Sequence, residues 1–175
     1  MKRIFSVALL CLSLFAVVAF AVDKVESPDF CKHCGMDRTK FSHSRMLVEY
    51  DDGSSTGTCS IHCMAVELAN HIDKTPKSLK VADYNTKNLI DSETACWVIG
   101  GDKQGVMTGR AKWAFAAKSD AEAFIKVSKG SIGTFDDAIK AAYEDMYRDT
   151  KMIHDKRKMM KMKKDGPAKG HGAEH

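Results

Sequence analysis

Cys31 and Cys34 are separated by two residues, and after a gap of 24 residues Cys59 and Cys63 form a second close pair. A single tight turn can point the first two sulfurs at one metal ion. Gly35 permits backbone angles that a residue with a β-carbon resists, and Met36 adds a thioether beside the thiolates. Met64 follows the second pair in the same way. Thiolates with thioethers make a soft donor set, which favours Cu(I) above harder ions. Four of the six cysteines lie in these two clusters, so the chain reads as a metal protein.

The cysteines also admit other chemistries. Two close pairs suit a tetrahedral structural zinc site built from Cys31, Cys34, Cys59 and Cys63. A thioredoxin-like dithiol at Cys31 and Cys34 would belong at a helix start after a strand, whereas a loop-like run follows Gly35. A plain disulfide staple is the third reading in an oxidising compartment. Cys63 falls in the first turn of an expected helix, where the helix dipole favours a thiolate. His33 and His62 sit inside the clusters and read as solvated or supporting histidines rather than ligands. Cys96, beside Trp97 in a β-rich run, reads as a buried inert thiol.

At the N-terminus, Met1-Lys2-Arg3 precedes an apolar run from Ile4 to Phe20, broken by Ser6 and Ser13, and Ala19-Phe20-Ala21 offers a cut before Val22. That order is the layout of a secretory signal peptide; the alternative is an uncleaved membrane anchor. Cys11, in the middle of the run and preceded by Leu9 and Leu10, does not make a lipidation site. Without residues 1–21, 25 basic and 23 acidic side chains remain, a formal charge of +2, which gives no case for nucleic acid. The expected compartment is therefore periplasmic, with membrane association through the leader or the basic tail as a further option.

Two similar halves follow. In the first, strands are expected at Arg45 to Tyr50 and Thr56 to Ile61, around a turn at Asp51-Asp52-Gly53. A helix capped by the Ser60 hydroxyl then runs to about Asp73. Pro76 breaks the pattern before a strand at Leu79 to Ala82. The second half repeats it with strands at Ala95 to Ile99 and Lys112 to Ala117, and with a helix from Asp120 to Val127 capped by Ser119 and closed by Gly130. From Asp136 the pattern stays helical, with an apolar stripe of Ile139, Tyr143, Met146, Ile153 and Met160. The end is basic and rich in Met and His, with a disordered tail. Met152, Met159, Met160, Met162, His154, His171 and His175 are either loose copper donors or the filler of a solvated, frayed helix. A basic docking arm for an acidic partner or membrane surface is the third option.

Several separate blocks resemble the NosL family of copper-binding accessory proteins in nitrous oxide reductase maturation. They are Cys31-Lys-His-Cys34-Gly35-Met36, Cys63-Met64, Val81-Ala-Asp83-Tyr84, Val106-Met107-Thr-Gly109 and Ala114-Phe115 with Ala121-Glu-Ala-Phe124. The resemblance covers about residues 28 to 140. It implies an α+β fold of two small strand-strand-helix-strand units, about 28–85 and 90–140, shared with the organomercurial lyase N-terminal region. The chain then divides into a signal peptide at 1–21, a NosL-like domain at 22–140 and an extension at 141–175. The resemblance further implies Cu(I) binding, delivery of copper to an exported copper enzyme, nitrous oxide reductase in the family, and a site at Cys31, Cys34 and Met36 with Met107 as a thioether from the second unit. Cys59 is additional to the family pattern and strengthens a four-thiolate site for copper or zinc. The rival functions are a structural zinc module that recruits a protein partner and a general copper homeostasis protein. No Ser-His-Asp set, supported carboxylate pair or phosphate-cradling Gly loop points to an enzyme; Asp51-Asp52 and Asp136-Asp137 read as a turn and a helix start.

Overall fold

The turn at Asp51-Asp52-Gly53 forms as its residues dictate, and it joins β1 (Met46–Tyr50) to β2 (Ser55–Thr58). Asp52 accepts the Ser54 amide at 2.8 Å, and the Tyr50 amide closes the hairpin on the Ser54 carbonyl at 2.8 Å. In the computed structural model, which describes residues 25–165, α1 (Ile61–Asn70) then leads to β3 (Pro76–Ala82) and β4 (Leu89–Asp91). The second half runs β5 (Cys96–Ile99), β6 (Lys112–Phe115), α2 (Lys118–Ser128) and β7 (Ser131–Gly133). Helix α3 (Phe135–Asp165) closes the described chain. The expected signal peptide and the expected disordered end lie outside the described residues.

Both halves share a strand-strand-helix-strand unit, to which the first adds β4 at the sheet edge. The sheets order as β2-β1-β3-β4 and β6-β5-β7, each antiparallel with its first strand in the middle. Alternation in β1 sends Met46, Val48 and Tyr50 inward, as the period of two requires. They pack with Met64 and Ala65 of α1, with Trp97, and with Ala138 and Ala142 of α3. Around Cys31, Cys59 and Cys63 a second cluster gathers Val98, Trp113, Phe115 and Ala121. The first unit's cysteines are thus packed together with the second unit's strands.

Asp83 and Tyr84 form the seam between the units. The Tyr84 amide donates to the Ala114 carbonyl at 2.8 Å, and Asp83 bridges Ala114 in parallel. The buried Asp83 carboxylate accepts the Thr86 amide and hydroxyl at 2.7 Å each and the Ala116 amide at 2.9 Å. The Asp83→Ala variant removes three hydrogen bonds to one buried carboxylate at the seam, while the exposed Thr86 and Ala116 donors can turn to water, so it is expected to cost about 2 kcal/mol of stability. Urea unfolding should show that loss as a lower midpoint at unchanged slope.

The structure corrects several expected boundaries. β2 ends at Thr58, and Ser60 is the N-cap residue of α1 but makes no side-chain cap bond. Pro76 opens β3, where a strand's first residue tolerates the missing amide. Strands β4 and β7 carry too few residues to read as pattern. Ser119 lies inside α2, whose N-cap is Ala117, and Lys129 is its C-cap ahead of Gly130. Helix α3 starts with a reciprocal box: the Thr134 hydroxyl accepts the Asp137 amide at 3.3 Å, and Asp137 accepts the Thr134 amide at 2.9 Å. Its buried face is Ala138, Ala141, Ala142, Asp145 and Asp149, while Tyr143 and Met160 of the expected stripe are exposed. Small alanines let the helix approach closely. Asp145 can be buried because Arg110 Nε and Lys112 Nζ each reach it at 2.8 Å.

Candidate metal centre

The first cysteine pair sits on a tight knuckle. The Cys31 amide donates to the Met36 carbonyl at 2.8 Å, the Gly35 amide returns to the Cys31 carbonyl at 2.9 Å, and Phe30 bridges Asp37. Gly35 has φ +74°, in the left-handed region that favours glycine. The second pair comes from the junction of β2 and α1, with Cys59 just after the strand and Cys63 in the helix's first turn.

These pairs converge. The sulfurs of Cys31, Cys34, Cys59 and Cys63 all lie within 4.8 Å of one another, with Cys34 to Cys59 at 3.4 Å and Cys59 to Cys63 at 3.7 Å. All four are free thiols. A tetrahedron with metal–sulfur bonds of about 2.3 Å has sulfur–sulfur edges of about 3.8 Å, so the donor set fits one metal ion. Cys31, Cys59 and Cys63 are buried, whereas Cys34 is half-exposed. Hydrogen bonds from Cys34, Cys59 and Cys63 lower the Cys31 thiol. Cys34 is lowered too, its bond with Cys31 opposing and those with Cys59 and Cys63 prevailing. Cys59 and Cys63 are raised by donating to Cys31 and Cys34.

A buried guanidinium fixes the knuckle against the strands. Arg38, fully buried, donates to the carbonyls of Glu26 at 2.7 Å, Pro28 at 2.6 Å, Thr58 at 3.2 Å and Met46 at 3.2 Å, and it pairs with the Glu26 carboxylate. Its plane lies over Gly57, where an added β-carbon would stand 2.5 Å from the guanidinium carbon. Ser44 donates to the Cys59 carbonyl at 2.8 Å.

On the other flank, His33 Nε2 meets the buried Glu67 carboxylate of α1 at 2.6 Å, tying the knuckle to the helix that carries Cys63. Burial works against charge on Glu67, yet hydrogen bonds from Thr56 and His33 with nearby Lys32 hold its carboxyl below the usual range. A depressed carboxyl contributes stability above the unfolded value, about 4.3, and that contribution is lost as pH falls toward the folded value. Glu67→Gln is thus expected to make the acid-side loss of stability shallower in the metal-free protein. Urea midpoints from neutral pH to below about pH 4 would check this, and an unchanged acid limb counts against the role.

His62 is buried, not solvated. Its Nδ1 lies 3.7 Å from Asp149 Oδ2, and neither atom has a hydrogen-bond partner. Cys96 is half-exposed and outside the sulfur cluster. Met36 and Met107 pack against the cysteine-containing core. They also line a pocket of about 310 Å³ with Met152, Ile153 and Met160 of α3. The basic extension is correspondingly not a frayed end: α3 is continuous to Asp165, and Arg157 donates to the Cys34 carbonyl at 3.0 Å. Sequence reasoning missed Arg38, Gly57 and Glu67. A lone Arg, Gly or Glu at these positions carries no local pattern; their partners lie 8 to 34 residues away.

A family model described as NosL matches residues 21–143. The crystal structure of the copper chaperone NosL from Shewanella denitrificans is similar at a TM-score of 0.52 and 24% identity, over 65% of this chain and 91% of that one. At that identity the likeness speaks to the fold. No curated protein matches the sequence.

Proposed function

The chain belongs to the NosL family, and from that premise we propose that it is an exported Cu(I) carrier, not an enzyme. The four-sulfur cluster carries this reading. Cys31, Cys34, Cys59 and Cys63 hold the ion as cargo, with Met36 and Met107 as thioethers beside them. Soft sulfur donors favour Cu(I). Transfer needs no change of oxidation state. A thiolate or imidazole of the recipient enters at half-exposed Cys34, the Cys34–copper bond then breaks, and the buried sulfurs release last. The relative from Shewanella denitrificans, a copper chaperone, supports the carrier role.

The finer parts of the proposal follow the sequence. The recipient is a copper enzyme of the periplasm, nitrous oxide reductase being the family's case. Residues 1–21 direct export, residues 22–140 form the carrier domain, and α3 runs across the boundary into the extension at 141–175. Among the described residues no helix is long and apolar enough to cross a membrane.

A structural zinc module is the second reading, favoured by the burial of three of the four sulfurs. Metal competition on the reduced chain, read beside far-UV circular dichroism of the apo form, separates the two. A folded apo protein that takes Cu(I) in preference to zinc supports the carrier. Copurified zinc, with collapse of the fold on chelation, supports the zinc module, since structural zinc contributes directly to folding.

A further inference from the structure

The methionines of α3 are not absorbed by the cysteine cluster. Met152 and Met160 lie beyond the residues that the family model matches. Even so, α3 carries them over the knuckle, where they line one pocket with Met36 and Met107. Three observations fix this juxtaposition. Arg157, between the two methionines in sequence, is bonded to the Cys34 carbonyl at 3.0 Å. Asp149 accepts the Gly109 amide at 2.9 Å and Asp145 accepts Arg110 Nε at 2.8 Å, so the loop bearing Met107 is held to the same helix. Met107 itself has φ +61°, a conformation that costs a residue with a β-carbon about 1 kcal/mol or more. A glycine would adopt it freely.

We propose that Met36, Met107, Met152 and Met160 form a second soft-metal site, an exchangeable thioether pocket beside the cysteine cluster. The proposal rests on the carrier reading and deepens it. Thioethers are neutral, soft donors suited to Cu(I). Lys156 and Arg157 also line the pocket, and their charge weakens the hold on any cation. Modest affinity suits a staging site. The ion moves between the pocket and the cysteines by ligand exchange without redox change, and thiols release protons as they bind it.

The test uses the full mature chain, reduced, labelled at the methionine methyl groups and titrated with Ag(I) as the Cu(I) analogue. Once the cysteines are filled, the methyl signals of Met36, Met107, Met152 and Met160 are expected to shift together. Those of Met159 and Met162, which are as exposed as Met160 on the same helix but do not line the pocket, should stay in place. The volume-conserving double variant M152L/M160L should bind the later equivalent at least about tenfold more weakly, with helicity and cysteine loading unchanged. Still methyls, equal shifts at Met159 and Met162, or an unaltered later affinity in the double variant overturns the site. Cysteines that take no Ag(I) sink the carrier reading instead, and the methyl signals then decide the pocket by themselves.

Discussion

Replacing Cys63 by serine is expected to weaken Cu(I) binding by about a hundred-fold or more, close to 3 kcal/mol at 1.4 kcal/mol per decade. The metal loses one of four converging soft donors and gains a hard hydroxyl that is a poor ligand for it. The fold is expected to survive, because the hydroxyl is nearly the size of the thiol and other sulfurs remain beside it to bond. Cys34→Ser should weaken binding as well, and because Cys34 is the half-exposed ligand, its replacement should also slow handover to an acceptor thiol. Cys96→Ser is the control, since that thiol stands outside the cluster. Competition against a chelator of known Cu(I) affinity measures all three. Equal affinities across the set would remove the cysteine cluster from the copper site.

The second large effect is placed away from the sulfurs. Gly57→Ala puts a β-carbon 2.5 Å from the Arg38 guanidinium, closer than atoms can approach, and the guanidinium is bonded on every side. Either β2 or Arg38 must shift. Loss of a buried, paired charge's partners costs about 3–5 kcal/mol. The knuckle should loosen with it, so metal affinity and stability are expected to fall together. A double-mutant cycle with Arg38→Ala makes the claim specific: once the guanidinium is gone, Gly57→Ala should cost little. Urea midpoints of the four proteins supply the numbers, and additive losses would show that the contact does not matter.

These two experiments separate what could be read along the chain from what could not. Cys31, Cys34, Cys59 and Cys63 were legible as donors because metal-ligand spacing is local, and Asp51-Asp52-Gly53 was legible because turn chemistry lies within a few residues. The strand-strand-helix-strand repeat was legible in the first strands and helices of each half. β4 and β7, at three residues each, were too short to show alternation. The stripe on α3 was misjudged at Tyr143 because hydrophobicity alone assigns faces. Asp145 and Asp149 are buried there instead, with Arg110, Lys112 and the Gly109 amide as partners.

Local spacing and periodicity were enough to place clustered soft donors ahead of and within the first of two similar runs of strands and a helix. Tertiary structure alone decided that all four sulfurs meet, that Arg38 needs the bare backbone of Gly57, and that Glu67 holds His33. It also decided that the basic extension lies across the site. Spacing and turn preference act through neighbours in the chain, whereas a buried charge or a ligand cage exists only once segments remote in sequence pack and exclude water.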